Sequence, residues 1–130
     1  MSTGPLILVA DDDADILLLL SFHFERAGYE VVQAQDGLEA LRVAMDRRPA
    51  LAVLDVTMPG IDGFEVTREL RRNVATRSMP VILLTARAQA NDVAQGMAAG
   101  ADEYVKKPFD ADDLKNRVER LLRPRLVAND

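Results

Sequence analysis

The sequence predicts a doubly wound α/β fold, with five parallel strands in one sheet and helices on both faces. Short apolar runs without alternation, such as Leu6-Ile-Leu-Val-Ala10 and Leu51-Ala-Val-Leu54, have the pattern of strands covered on both sides. Each run is followed by a segment of helical period, and the pair occurs five times. The intervening loops are short, so each return to a parallel neighbour needs a right-handed crossover.

The first strand, residues 6–10, stops at Asp11-Asp12-Asp13. A helix should then run from 13 or 15 to 27, with Leu17, Leu20, Phe24 and Ala27 sharing its inner face. Gly28 suits the left-handed residue that ends many helices. Leu18, Leu19 and Phe22 fall mostly on the opposite side, an apolar excess that core packing, scattered exposure or a docking patch would explain. The second strand covers 29–34. Asp36-Gly37 opens the second helix, which places Leu38, Leu41, Ala44 and Met45 on one face and ends near Arg47 and Arg48, before Pro49.

The third strand, 51–54, runs into Asp55, and Met58-Pro59-Gly60 forms a turn. Asp62 can cap a third helix over 63–72, with Phe64 and Leu70 inward and Arg68, Arg71 and Arg72 on its polar side. A loop over 73–79 precedes the fourth strand, 81–84, which ends at Thr85-Ala86. The fourth helix, 91–99, carries Gly96, which costs about 1 kcal/mol relative to alanine, and Gly100 ends it. The fifth strand, 103–106, is followed by Lys107-Pro108. In the last helix, 110–123, Leu114, Val118, Leu121 and Leu122 point inward. Acids fill its first turn and bases its last, which suits the helix dipole. Pro124 stops it, and 125–130 reads as a flexible tail or the start of a linker.

Composition narrows the function classes. A chain of 130 residues with 48% hydrophobic content can bury the core of one domain. A net charge of −5 disfavours direct binding to nucleic acid or to an anionic membrane. Zero cysteines exclude disulfides, thiolate metal sites and cysteine nucleophiles. No apolar run approaches the roughly 20 residues of a membrane span, and the N-terminus lacks signal-peptide features. A cytoplasmic protein is expected.

In a parallel sheet all strands end at one edge, where ligands bind near the topological switch point. The first strand delivers Asp11 and Asp12 there, the third Asp55, the fourth Thr85 and the fifth Lys107. The second delivers nothing chemical, as suits an outer strand. Clustered carboxylates repel unless a cation neutralises them, and an open set of oxygen ligands suits Mg²⁺ (or Mn²⁺). A hydroxyl and an ammonium can hold phosphoryl oxygens, and an aspartate can accept the phosphoryl group.

Across nearly its whole length the chain resembles the receiver domains of bacterial two-component response regulators. The resemblance rests on Ile7-Leu-Val-Ala-Asp-Asp12, Leu54-Asp-Val-Thr-Met-Pro-Gly60, Leu83-Leu-Thr-Ala86 and Gly100-Ala-Asp-Glu-Tyr-Val-Lys-Lys-Pro-Phe109. It implies a flavodoxin-like fold of strand order 2-1-3-4-5, an order for which the family is itself a standard example. It also implies a receiver domain over 1–124. Asp55 would accept phosphate from a sensor histidine kinase or a histidine phosphotransfer protein. Asp11, Asp12, Asp55 and the backbone carbonyl of Thr57 would hold the metal. Thr85 and Lys107 would bind the phosphoryl group, and Tyr104 would turn inward as Thr85 moves. Lys107, not Lys106, is the expected lysine, and Lys107-Pro108 is expected to be cis. The output face would comprise the fourth helix, fifth strand and fifth helix. The resemblance also implies that Thr57 and Arg87 stand at the variable positions that in this family tune the lifetime of the phosphorylated state. No turnover enzyme is expected.

The last third also resembles receivers of winged-helix transcription factors, which pair through that face as symmetric homodimers. Asp102, Glu103, Arg117 and Arg120 match its charged positions, whereas Val93 replaces a common basic residue. Asp13 and Asp15 read as capping or solvated residues, and His23 as a structural packing residue. Family members dock kinases through the first helix, which offers Leu18, Leu19 and Phe22 a role. A phosphohydrolase with an aspartyl intermediate would need a second acid where Thr57 stands. A flavin module would need a phosphate-cradling loop where Asp11-Asp12-Asp13 stands.

Overall fold

In the computed structural model, which describes residues 4–123, the apolar runs form β1 (Leu6–Ala10), β2 (Glu30–Ala34), β3 (Leu51–Leu54), β4 (Val81–Thr85) and β5 (Glu103–Lys106). All pair in parallel, in the order β2-β1-β3-β4-β5. Between and after them lie α1 (Ala14–Arg26), α2 (Gly37–Arg47), α3 (Gly63–Arg72), α4 (Ala90–Ala99) and α5 (Ala111–Leu122). The expected tail at 125–130 lies outside the described residues.

The strands need no alternation because both sheet faces are covered. Side chains along β1 point to opposite faces in turn. Ile7 and Val9 join Leu17, Leu20 and Phe24 of α1 and Leu114 and Val118 of α5 in one apolar layer. Leu8 and Ala10 join Ala40 and Ala44 of α2 and Phe64, Val66 and Leu70 of α3 in the other. The aspartates of the loops define the helix starts. The carboxylates of Asp13, Asp36, Asp62 and Asp110 accept from backbone N–H groups two or three residues downstream. Each such cap is worth about 1 kcal/mol. Asp13 is therefore a cap, and Asp15 is exposed.

Some expected positions shift. Tyr29 precedes β2: its N–H donates to the Phe24 carbonyl (3.1 Å), and its ring meets Phe24 edge-on. Ala27 caps α1 and is exposed rather than inward. Leu38 is 60% exposed rather than inward. The start of α2 lies so close to the loop before α3 that a Cβ on Gly37 would stand 1.9 Å from the Ile61 carbonyl oxygen. Small residues, Gly37, Ala40 and Ala44, therefore form the inner stripe, and Leu38 is turned outward. Arg48, in left-handed conformation, ends α2.

Gly96 of α4 faces the Tyr104 ring, where an added Cβ would lie 2.9 Å from two ring carbons. The glycine that weakens the helix is thus what lets α4 approach β5.

Candidate functional site

Strand register assembles the carboxyl edge. Ala10 pairs with Leu54, so Asp11 and Asp55 emerge side by side, and the Asp55 N–H donates to the Ala10 carbonyl (2.9 Å). Thr85 pairs with Lys106, and the Lys107 N–H donates to the Thr85 carbonyl (2.9 Å). Strand alternation sends Lys106 out to solvent and leaves Lys107 half-buried. The Lys107 ammonium donates to Asp11 Oδ2 (2.7 Å) and Asp55 Oδ2 (3.2 Å). The Lys107–Pro108 peptide is cis.

Asp11, Asp55 and Thr85 are buried, whereas Asp12 and Thr57 are exposed. The Thr57 N–H donates to Asp55 Oδ1 (3.3 Å). One oxygen from each of Asp11, Asp12 and Asp55 lies within 4.8 Å of the others. Three hard oxygen donors, one of them open to solvent, fit a divalent cation that keeps part of its water shell.

Burial raises the Asp11 carboxyl above its usual 3.8, against the pull of its Lys107 hydrogen bond, and the Asp55 charge adds to the rise. For Lys107, burial lowers the affinity for its proton. The Asp11 hydrogen bond and the Asp55 charge outweigh that and hold the ammonium above its usual 10.5. Ionised Asp11 is thus held at a cost beside a protonated lysine, and a bound cation would offset its charge.

The sequence matches the family described as the response regulator receiver domain over residues 7–119. The chain belongs to this family. Its relatives include the DNA-binding dual master transcriptional regulator RpaA of Synechocystis, 45% identical over 119 residues, which span 92% of this chain and 49% of the relative. The alkaline phosphatase synthesis transcriptional regulatory protein PhoP of Bacillus subtilis is 42% identical over 122 residues, 94% of this chain and 50% of the relative. The chain thus spans about half the length of these curated relatives. Among solved structures, the chemotaxis response regulator CheY4 of Vibrio cholerae has a TM-score of 0.86 at 33% identity, covering 92% of this chain and 100% of that one. The receiver domain of a Pseudomonas aeruginosa sensor histidine kinase, with a magnesium ion coordinated in its active site cleft, scores 0.86 at 31% identity, covering 92% and 98%.

In this receiver the β4–α4 loop is organised by Arg87, whose contacts the sequence did not signal. Its N–H donates to Thr85 Oγ1 (3.2 Å), and its carbonyl accepts from the Tyr104 hydroxyl. Its guanidinium pairs with Asp92 (2.9 Å) and lies over the Phe64 ring, 5.4 Å from the centroid.

On the face formed by α4, β5 and α5, several of the receiver's charges are engaged within the chain. Glu103 pairs with Arg117 and Arg120, and Arg117 also with Asp113. Asp102 accepts from Arg71 (3.1 Å) and from the Val81 N–H (2.8 Å). Arg71 also donates to the carbonyls of Arg77, Met79 and Gly100, clasping the end of α3 to two later loops.

Leu18, Leu19 and Phe22 of α1 are 69%, 42% and 53% exposed, so they are surface rather than core. Leu19 also lines a shallow apolar groove with Ile16, Ala86, Pro108 and Phe109, which reaches Lys107. His23 is half-buried, edge-on to the Phe22 ring that Arg26 covers from 5.5 Å.

Proposed function

We propose that Asp55 accepts a phosphoryl group from the phosphohistidine of a sensor kinase or phosphotransfer protein, and that this shifts the α4–β5–α5 face. The observation that carries the reading is Lys107, whose ammonium bridges Asp11 and Asp55 while its backbone N–H meets the Thr85 carbonyl.

An Asp55 carboxylate oxygen attacks phosphorus, forming the acyl O–P bond as the donor's P–N bond breaks. The electron pair goes to the imidazole nitrogen, which leaves with the kinase and takes its proton from solvent. Lys107 then follows the negative charge from the Asp55 oxygen to a phosphoryl oxygen, while the Thr85 hydroxyl donates to another. Asp11, Asp12, Asp55 and the Thr57 carbonyl would hold Mg²⁺ (or Mn²⁺), which when bound offsets charge on the phosphoryl oxygens. Movement of Thr85 leaves space that Tyr104 fills, which biases an existing equilibrium between two states. The protein is its own phosphoacceptor and no turnover enzyme; water slowly restores Asp55.

The apolar patch of Leu18, Leu19 and Phe22, with the groove beside Lys107, supports docking of the phosphodonor next to the site. A cytoplasmic location accords with this donor, and no described helix is long and apolar enough to cross a membrane. A receiver domain over 1–124 serves this function without itself touching nucleic acid. A symmetric homodimer through α4, β5 and α5 would draw on Asp102, Glu103, Arg117 and Arg120, whose charges are paired within this chain.

Asp55→Asn tests the assignment. The protein is expected to take label from acetyl phosphate with Mg²⁺, and the variant to take none; undiminished labelling of the variant refutes the phosphoacceptor role.

A further inference from the structure

We infer that Asp92, on the first turn of α4, is a positioning residue for Thr85, acting through an ion-pair latch with Arg87. The inference rests on Thr85 as a phosphoryl ligand and adds what holds that hydroxyl ready.

Thr85 is buried at the end of β4, and its hydroxyl must donate to a phosphoryl oxygen to be useful there. A hydroxyl oxygen that already accepts a hydrogen bond has its own hydrogen directed away from that partner. The Arg87 N–H supplies that bond, 3.2 Å from Oγ1. The direction of the Thr85 hydroxyl therefore depends on where the Arg87 backbone sits. The same peptide segment offers its carbonyl to the Tyr104 hydroxyl, so both proposed switch residues lean on this one loop residue.

The Arg87 side chain holds that backbone in place. Asp92 Oδ1 takes the guanidinium at 2.9 Å, and Phe64, fully buried near the start of α3, supports it from below. Asp92 Oδ2 accepts from the Gln89 N–H (3.3 Å) and caps α4. Asp92 thus fastens both ends of the loop, one through its cap and one through Arg87. Through Phe64 and the Tyr104 hydroxyl, the latch ties the β4–α4 loop to the start of α3 and to β5.

Capping and latching can be separated. Asp92→Asn keeps an acceptor for the Gln89 N–H but loses the ion pair, and Arg87→Gln loses the pair without touching the cap. The experiment is a double-mutant cycle on these two changes. Labelling by acetyl phosphate with Mg²⁺ is measured at saturating donor, with and without Thr85→Ala. In parallel, fluorine NMR of fluorotyrosine-labelled protein in a Tyr29→Phe background reports Tyr104 alone, in the unphosphorylated state.

Each single change is expected to lower the maximal labelling rate about two- to fivefold, the range of a partly exposed ion pair. Half-saturation by acetyl phosphate should stay the same, and the double variant should be no slower than either single one. All three should move the Tyr104 resonance to one common position. In the Thr85→Ala background none should slow labelling further. Independent, additive losses, slowing that persists without the Thr85 hydroxyl, or an unmoved Tyr104 resonance overturns the latch. A wild-type chain that takes no label overturns the phosphoacceptor reading instead, and the resonance alone then decides whether the latch holds Tyr104.

Discussion

Replacing Gly96 with alanine sets two effects of known size against each other. Helix propensity favours alanine by about 1 kcal/mol in a helix interior. Yet the new Cβ would lie 2.9 Å from Tyr104 Cδ1 and Cε1 and 3.0 Å from Leu83 Cδ1. Carbon atoms rest at about 3.5–4.0 Å, so the ring has to give way. Its hydroxyl is tied to the Arg87 carbonyl, and Leu83 is fully buried in β4. Overpacking costs about 1–3 kcal/mol, and losing the Tyr104 hydrogen bond about 1 more. The net expectation is destabilisation by about 1–3 kcal/mol, after the propensity gain is subtracted. Urea unfolding followed by circular dichroism should show a lower midpoint with an unchanged slope. In a Tyr104→Ala background the penalty should shrink or reverse. A Gly96→Ala protein that is more stable than wild type, with the Tyr104 side chain intact, would refute the reasoning.

Three further changes probe other parts of the molecule. Arg71→Ala removes the clasp onto Arg77, Met79, Gly100 and Asp102, and should cost about 2–3 kcal/mol in urea unfolding. Asp102→Asn should cost only about 1 kcal/mol, because the Val81 N–H keeps an acceptor. For Asp11 the folded-state pKa lies above the unfolded value of 3.8, so the native state holds that proton more tightly. Stability therefore falls as pH rises through the window above 3.8, and the ionised group is a burden at neutral pH. Asp11→Asn should raise the unfolding midpoint in a chelator, flatten its pH dependence and weaken the stabilisation by Mg²⁺; a lower midpoint contradicts this. Phe22→Ser should slow transfer from the cognate kinase and leave acetyl phosphate labelling intact, whereas equal loss in both assays points to folding.

Local patterns in the chain were enough to specify the ten elements and the carboxyl edge. Buried parallel strands announce themselves as unbroken apolar runs, helices by their period, and helix starts by Asp13, Asp36, Asp62 and Asp110. Once the strands are parallel, residues that follow them must meet, which is why Asp11, Asp55, Thr85 and Lys107 could be grouped in advance. On α2, Leu41, Ala44 and Met45 pack on the core as their spacing predicts, but Leu38 does not, because periodicity marks which residues share a face, not how closely the helix lies on its neighbours. Gly37 and Ala40 answer to that distance, and Leu38 is expelled by it.

Partners far apart in sequence were decided only in three dimensions. Arg71 meets Asp102, Phe64 meets Arg87, and Tyr104 meets Gly96 and the Arg87 carbonyl. No local spacing encodes these contacts, because each depends on how two separately predictable elements are set against each other. The sequence by itself determined which groups gather at the sheet edge, through strand direction and alternation. Only the tertiary structure decided which groups hold them there, because an ion pair or a ring contact forms where packing brings the partners within a few ångströms.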